Sequence, residues 1–242
     1  MKKFLEMSIS WSAVGLLLFA MFPVSPCAAT VKITVGHQYE ASNTVNKGAL
    51  LFKDAVEFLS EGELVVEVYP AAQLGSEKVL FENTKVGTQA MGVTSSGAVG
   101  GMYKPAAVLS VPYTFRDADH YYKVVKGSIG KSLEESIRKG TGVRPLGVIY
   151  QSPRNLTTNF PVQSVKDIKG LKLRVPEGPA WFEMAGAWGT KPTPVAWGEV
   201  YTSLKLGVVD AHENAFKYMW TGKIFEVQKY VILTEHMRHL EY

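Results

Sequence analysis

The chain has 242 residues, of which 46% are hydrophobic and 20% charged, with a formal net charge of +4 and one cysteine. Lysines and acids are interspersed with no basic block, so nucleic-acid binding has no support, and the mild positive balance suits an anionic ligand without demanding one. A single thiol allows no internal disulfide, so the fold must rest on its apolar core.

The N-terminus has the pattern of a secretory signal over residues 1–29. Lys2 and Lys3 form a basic start, Ala13 to Phe22 runs without a charge, and Cys27-Ala28-Ala29 offers small residues for cleavage. The apolar run falls well short of the ~20 residues that a membrane span needs. An uncleaved anchor is the alternative. Val24-Ser25-Pro26-Cys27 resembles a lipoprotein site only faintly, because proline directly precedes the cysteine. Cleavage near Ala29 would remove the cysteine and, with Lys2, Lys3 and Glu6, take the formal charge from +4 to +3.

From Val31 onward, strand and helix patterns alternate. Val31 to Val35 alternates as a strand, and Val45, Ala49, Phe52, Val56 and Leu59 share one helical face that ends at Gly62. Leu64 to Tyr69 is a second strand stopped by Pro70. Ser76 stands as the cap of a helix over 77–86 that ends at Gly87. Strands over 90–94, 108–111 and 143–150 and helices over 117–126 and 129–139 complete a first unit. After Gln151-Ser152-Pro153 the pattern restarts. It predicts strands over 171–175, 190–193, 208–212 and 226–232, with helices over 179–187 and 197–206. The order predicts two α/β domains, residues 30–151 and 152–239, with parallel or mixed sheets and a cleft between them.

Open α/β sheets bind ligands beyond the carboxyl ends of their strands. In Gly170-Leu171-Lys172-Leu173-Arg174-Val175-Pro176 the strand carries Arg174 to such an end, and Arg154 stands 20 residues earlier, in Ser152-Pro153-Arg154-Asn155. A planar guanidinium gives a two-point fit to a carboxylate, whereas a lone strand-end arginine can equally form a surface ion pair. Asn214 follows the strand predicted over 208–212 and reads either as a ligand contact or as the cap of a helix over 215–220. Trp197, at a helix start, faces the cleft or the core.

Longer motifs carry a family resemblance. Gly170 to Pro176, Pro192-Thr193-Pro194-Val195-Ala196-Trp197-Gly198-Glu199-Val200-Tyr201, Leu206-Gly207-Val208-Val209-Asp210-Ala211-His212-Glu213-Asn214, Phe225-Glu226-Val227-Gln228-Lys229-Tyr230 and Tyr69-Pro70-Ala71-Ala72-Gln73-Leu74-Gly75 resemble the DctP-type extracytoplasmic solute receptors of tripartite ATP-independent periplasmic (TRAP) transporters. The resemblance implies a two-lobed periplasmic-binding-protein-like α/β architecture that closes on a small organic acid. It implies a periplasmic monomer that hands the acid to the permease subunits of a TRAP transporter, with no cofactor, no metal and no catalysis. On the family pattern Arg174 bridges the ligand carboxylate, Arg154 is a second cationic contact, Asn214 hydrogen-bonds the carboxylate and Trp197 lines the pocket. Gln38 stands where a pocket-lining polar residue is expected, with His37 beside it. Sugar-acid members carry an acid at about the position of Ser95. Thr94, Ser95 and Ser96 there, with the aromatic Trp181 and Trp188, tilt the expectation towards a small aliphatic or aromatic carboxylate. The family runs on beyond Tyr242, so residues 240–242 are expected to begin a truncated return to the first domain. That would leave an unpaired sheet edge, a tendency to aggregate and weak binding. Two alternatives stand beside this reading. One is a receptor that presents its ligand to a membrane sensor. The other is a metal-dependent enzyme using His212, Glu213, His236 or His239, for which no HExxH, Gly-x-Ser-x-Gly or phosphate-loop spacing is present.

Overall fold

A computed structural model describes residues 30–242; the signal pattern of residues 1–29, Cys27 included, lies outside the described residues. No helix among the described residues is long and apolar enough to cross a membrane. The first strand, β1 (Val31–Gly36), is followed by α1 (Thr44–Leu59), β2 (Leu64–Tyr69), α2 (Glu77–Val86), β3 (Met91–Gly92), α3 (Ser96–Met102), α4 (Ala118–Lys126), α5 (Ser128–Thr141) and β4 (Ile149–Tyr150). The second half comprises β5 (Arg154–Thr158), β6 (Lys172–Val175), α6 (Pro179–Ala187), β7 (Lys191–Pro194), α7 (Val200–Lys205), β8 (Ala211–Ala215), α8 (Phe216–Thr221), β9 (Tyr230–Met237) and β10 (Leu240–Glu241).

Two larger sheets organise these elements, beside a two-stranded one formed by β10 and β4. The first is parallel, in the order β2-β1-β3, and the second is mixed, in the order β7-β6-β8-β5-β9. In the second, β6 runs parallel to β7 and β8, while β5 runs antiparallel to β8 and β9. The fold is thus the two-lobed α/β architecture, with a cleft between the sheets. Beyond β9 the chain turns back: β10 pairs antiparallel with β4, and Thr94 and Tyr242 exchange main-chain hydrogen bonds of 3.1 and 2.9 Å.

Where the periodic signal is long, elements and expectation coincide, as in β1, β2, α1 and α2. Asn43 caps α1 by accepting from the Val45 amide at 2.9 Å, and Gly87 ends α2 in the left-handed region at φ 80. Ser76 occupies the N-cap position of α2 but makes no side-chain cap bond.

Elsewhere local chemistry overrides the pattern. Of residues 108–111, the first three belong to a 3-10 turn over Lys104–Ser110, where Pro105 presets the first turn, and Val111 follows it. The strand expected over 143–150 shrinks to β4, because Pro145 removes a ladder donor. The strand expected over 208–212 is β8, three residues later, because the amides of Val208 and Val209 bond the Ser203 carbonyl and extend the end of α7. That shift also overturns the reading of Asn214 as a helix cap: it is a strand residue, and α8 begins after Ala215. Likewise 197–206 divides into a 3-10 turn, Trp197–Glu199, and α7, and the strand over 226–232 is β9. The strand β5 has no counterpart among the expected elements. Arg-Asn-Leu-Thr-Thr lacks an apolar alternation, yet every residue of it is buried.

The halves meet on a close contact. Trp181 of α6 lies against Gly97 of α3, where an added Cβ would stand 1.7 Å from the indole. A second shared core joins Tyr39 and Val45 of the first half to Trp197, Tyr218 and Ile224 of the second. Overfilling such a contact forces packed groups apart at a cost of about 1–3 kcal/mol. Gly97→Ala is therefore expected to lower the stability measured by urea denaturation by about that amount. A midpoint equal to that of the parent would show that the two halves do not depend on this contact.

Candidate functional site

The two-residue period of the second sheet decides which side chains reach the cleft. Arg174 is in register with His212, and Arg154 with Ala215. Arg174, His212 and Asn214 therefore project from one face, while Arg154 and Glu213 project from the other with Leu156, Leu173 and Val175. Both arginines nonetheless stand at the same end of the sheet, because β5 runs antiparallel and starts where β6 and β8 finish. The cleft receives one guanidinium from each face. It encloses about 310 Å³.

Arg154 already has a partner. Its Nη2 donates to Glu213 Oε1 at 2.6 Å and to the Glu213 carbonyl at 2.8 Å, and its Nε donates to Oε2. The group lies over the Trp181 ring, 5.3 Å from its centroid. Burial alone would raise the Glu213 pKa, but Arg154 and the hydrogen bond from His236 hold it well below the usual carboxylate range. Burial keeps the pKa of His236 low against the pull of Glu213. Thr234 Oγ1 lies 2.8 Å from its Nδ1 and Glu213 Oε2 3.0 Å from its Nε2, so a neutral ring accepting at Nδ1 and donating at Nε2 satisfies both contacts.

Arg174 is held differently. Nε and Nη2 donate to the Val195 carbonyl at 2.9 and 2.6 Å, and among the described residues no carboxylate pairs with it. It is 3% exposed and lines the cavity. Burial, then the charge of Arg154, lowers its pKa to about 10, so it remains a cation at neutral pH. Beside it, Asn214 Oδ1 accepts from the Ala215 amide at 2.9 Å, which leaves the side-chain amide nitrogen to offer to an anion. Trp197 is both core and cavity wall: its Nε1 donates to Glu40 Oε1 at 3.1 Å while the ring packs against Tyr218 and His212.

Loops after the carboxyl ends of β1, β2 and β3 build the opposite wall, with Gln38 and Tyr39, Glu77, and Ser95 respectively. The first loop is braced by strained backbone. Ala71 and Ala72 take φ of 52 and 57, and their amides donate to the carbonyls of Tyr39 and His37 at 2.8 and 3.1 Å. The left-handed conformation costs roughly 1–2 kcal/mol per residue, which those bonds offset. His37 itself turns inward to Asn46 Oδ1 at 3.0 Å and is not part of the cavity wall.

All six expected residues, Arg174, Arg154, Asn214, Trp197, Gln38 and Ser95, thus line one cavity. The expectation that serine at position 95 deprives the wall of an acid is corrected. Ser95 Oγ donates to Glu77 Oε2 at 2.8 Å, so the serine holds an acid that comes from the preceding loop. Beside Glu77, Tyr39 reaches Glu241 Oε1 at 2.6 Å, where Tyr218 also donates at 3.0 Å. Glu77, Tyr39 and Glu241 escaped the sequence reading. The available signal was the acid two residues after the Gln73-Leu74-Gly75 motif, which reads equally as an ordinary first-turn glutamate.

Residues 35–241 match the family model described as bacterial extracellular solute-binding protein, family 7. A solute-binding protein of Roseobacter denitrificans is 35% identical over 211 residues, covering 87% of this chain and 65% of the relative. The solved structure of a TRAP periplasmic solute binding protein from Roseobacter denitrificans with bound L-galactonate superposes with a TM-score of 0.84 at 35% identity, covering 88% of this chain and 70% of that one. One from Sulfurospirillum deleyianum with bound succinate gives 0.83 at 29% identity, covering 88% and 69%. The chain spans about two thirds of the length of the curated relatives it matches.

Removing one partner of a buried ion pair strands the other charge, which costs about 3–5 kcal/mol. Glu213→Ala is accordingly expected to destabilise the protein by about that amount in urea denaturation. A loss below about 1 kcal/mol, typical of exposed pairs, would show that the pair is solvated.

Proposed function

The chain belongs to family 7 of the bacterial extracellular solute-binding proteins, and from that membership and the cavity we propose that it captures a small organic acid outside the cytoplasm and delivers it to the permease subunits of a TRAP-type secondary transporter. Arg174 carries the reading. It is a buried cation without a carboxylate partner among the described residues, next to an arginine whose charge Glu213 already matches. A buried charge is stable when it is paired, and a ligand carboxylate supplies the pair. Asn214 adds a donor, Arg154 offers its unused Nη1, and Trp197, Gln38 and Ser95 shape the walls. Residues 1–29 act as a secretory signal, and residues 30–151 and 152–239 form two domains of a periplasmic monomer, with 240–242 crossing back to the first. The protein is a receptor and not an enzyme. Presentation of the ligand to a membrane sensor is the second reading, for which no specific contact speaks.

The acid wall bears on ligand class. Glu77 accepts hydrogen bonds from Ser95, and its place in the cavity suits a ligand hydroxyl better than a second carboxylate. A hydroxylated monocarboxylate therefore replaces the aliphatic or aromatic acid favoured by the sequence. The relative from Roseobacter denitrificans holds L-galactonate and that from Sulfurospirillum deleyianum holds succinate, so the two acids make a direct comparison.

A melting screen tests the class, because a ligand that binds the native state stabilises it by mass action. L-galactonate is expected to raise Tm more than succinate, and neutral galactose is expected to leave it unchanged. Stabilisation by the neutral sugar without any by the acids would overturn the proposal. Arg174→Lys keeps the charge and loses the planar fork, and is expected to weaken L-galactonate binding by about 2–4 kcal/mol in calorimetric titration.

A further inference from the structure

Two buried carboxyl groups at the acid wall of the cavity share the hydroxyl of Tyr39. Tyr39 carries one proton, yet its oxygen lies 2.6 Å from Glu241 Oε1 and 3.1 Å from Glu77 Oε1. If the hydroxyl donates to Glu241 along the shorter contact, the approach to Glu77 brings two acceptors together unless Glu77 carries its own proton. The second proton at Glu241 Oε1 comes from Tyr218, at 3.0 Å, and cannot serve Glu77. Both carboxyl groups are buried, Glu241 entirely and Glu77 with 7% exposure.

The surrounding charges set the balance. Arg174 and Arg154 face the pair from β6 and β5, and the charge of Arg154 is taken by Glu213. From α8, Lys217 adds a cation near Glu241, held to Thr44 Oγ1 at 3.0 Å, and Tyr218 adds its hydroxyl. His239 Nε2 lies 3.7 Å from Glu241 Oε1, and burial keeps that imidazole neutral. Ser95 donates to Glu77 from the start of α3, Tyr121 lies near Glu241 from α4, and Lys78 is engaged at the rim by Glu177 at 3.7 Å. Three cations, Arg154, Arg174 and Lys217, thus face three carboxylates, Glu213, Glu77 and Glu241. With all six groups ionised these charges cancel, although among the described residues no carboxylate pairs directly with Arg174; an entering organic anion adds a negative charge that a proton on the glutamate pair offsets.

We propose that the protein takes up its organic acid together with one proton, which the Glu77–Tyr39–Glu241 chain holds in the wall of the cavity. This rests on the reading of the cavity as an acid-binding site. Burial, reinforced at Glu77 by the charge of Glu241, pushes both carboxyl groups up to about 7, so the chain changes its proton content across neutral pH. The sign follows from linkage. An anion that binds with a proton binds more tightly where the proton is abundant, and its affinity falls as pH rises through the pKa of the chain.

The test has two arms on the unmodified protein. Calorimetric titration with L-galactonate and with succinate, in buffers of different ionisation enthalpy, counts protons taken up. Affinity is expected to weaken about 10-fold or more between about pH 6 and about pH 8.5, with net proton uptake near neutrality. The second arm needs no ligand: difference infrared spectroscopy should show a protonated-carboxyl band at about pH 6 that is lost by about pH 8.5. The same band should be missing from Glu77→Gln/Glu241→Gln. Absence of the band from the unmodified protein overturns the proposal, and so does equal affinity at both pH values without proton uptake. If the band is present but neither acid binds at either pH, the acid-binding reading fails and the coupling fails with it.

Discussion

The pair Arg154–Glu213 is the contact on which the cleft depends. Each charge is buried, and neither could remain so alone. Glu213 sits on β8, Arg154 opens β5, and His236 near the end of β9 donates to the same carboxylate. One carboxylate therefore ties three adjacent strands at the edge that faces the cavity. The arrangement also divides labour between the arginines. Arg154 is neutralised by the protein, and Arg174, on the other face of the sheet, remains to be neutralised from outside. Two unpaired buried guanidinium groups would repel each other, and the lowered pKa of Arg174 already includes the charge of Arg154 as a contribution second to burial. Glu213 keeps that repulsion tolerable.

Legibility in the sequence follows the range of the interactions. β1, α1, β2 and α2 could be read because their signals are local: alternation, a 3.6-residue face, and glycines or prolines that stop them. Arg174 was legible for the same reason, in a short alternating strand that ends at proline. The strand β5 was not, because its polar residues are buried only through the strands on either side of it. The offset of β8 came from two amides captured by Ser203, which kept Val208 and Val209 out of the strand. Offsets of that kind reverse which face a residue occupies. The facing of Glu213 towards Arg154 could therefore not be assigned before the register was known. Glu77 opens α2 in the first half and Glu241 lies in the last strand, and only the turn from β9 into β10 brings them to the same tyrosine.

The two walls of the cavity have opposite chemistry, and that asymmetry orients a ligand. The second sheet offers donors: the guanidinium of Arg174 and the amide of Asn214. The first sheet's loops offer acceptors, with Glu77 foremost. A molecule with an anion at one end and hydroxyls at the other satisfies both walls in one orientation and neither when reversed. The loops that carry the acceptors are held by the left-handed turn at Ala71 and Ala72, so strain in one loop fixes the reach of another.

A ligand can shift the relation of the lobes only by contacts that differ between arrangements. Polar links across the cleft include Asn43 Nδ2 to Thr221 Oγ1 at 3.0 Å, Lys217 Nζ to Thr44 Oγ1 at 3.0 Å, Trp197 Nε1 to Glu40 Oε1 at 3.1 Å and the exposed pair Lys78–Glu177 at 3.7 Å. The neutral bond, Asn43 to Thr221, contributes about 0.5–1.5 kcal/mol, and the hydrogen bonds with one charged partner about 1.5–3 kcal/mol each. A charge-assisted contact of a ligand carboxylate to Arg174 is of the latter kind. One carboxylate bound in the cleft thus matches any single polar link between the lobes. The Tyr218–Glu241 contact adds a link whose strength depends on the proton count of the wall, so the same ionisation that balances the ligand's charge also bears on how firmly the lobes are joined.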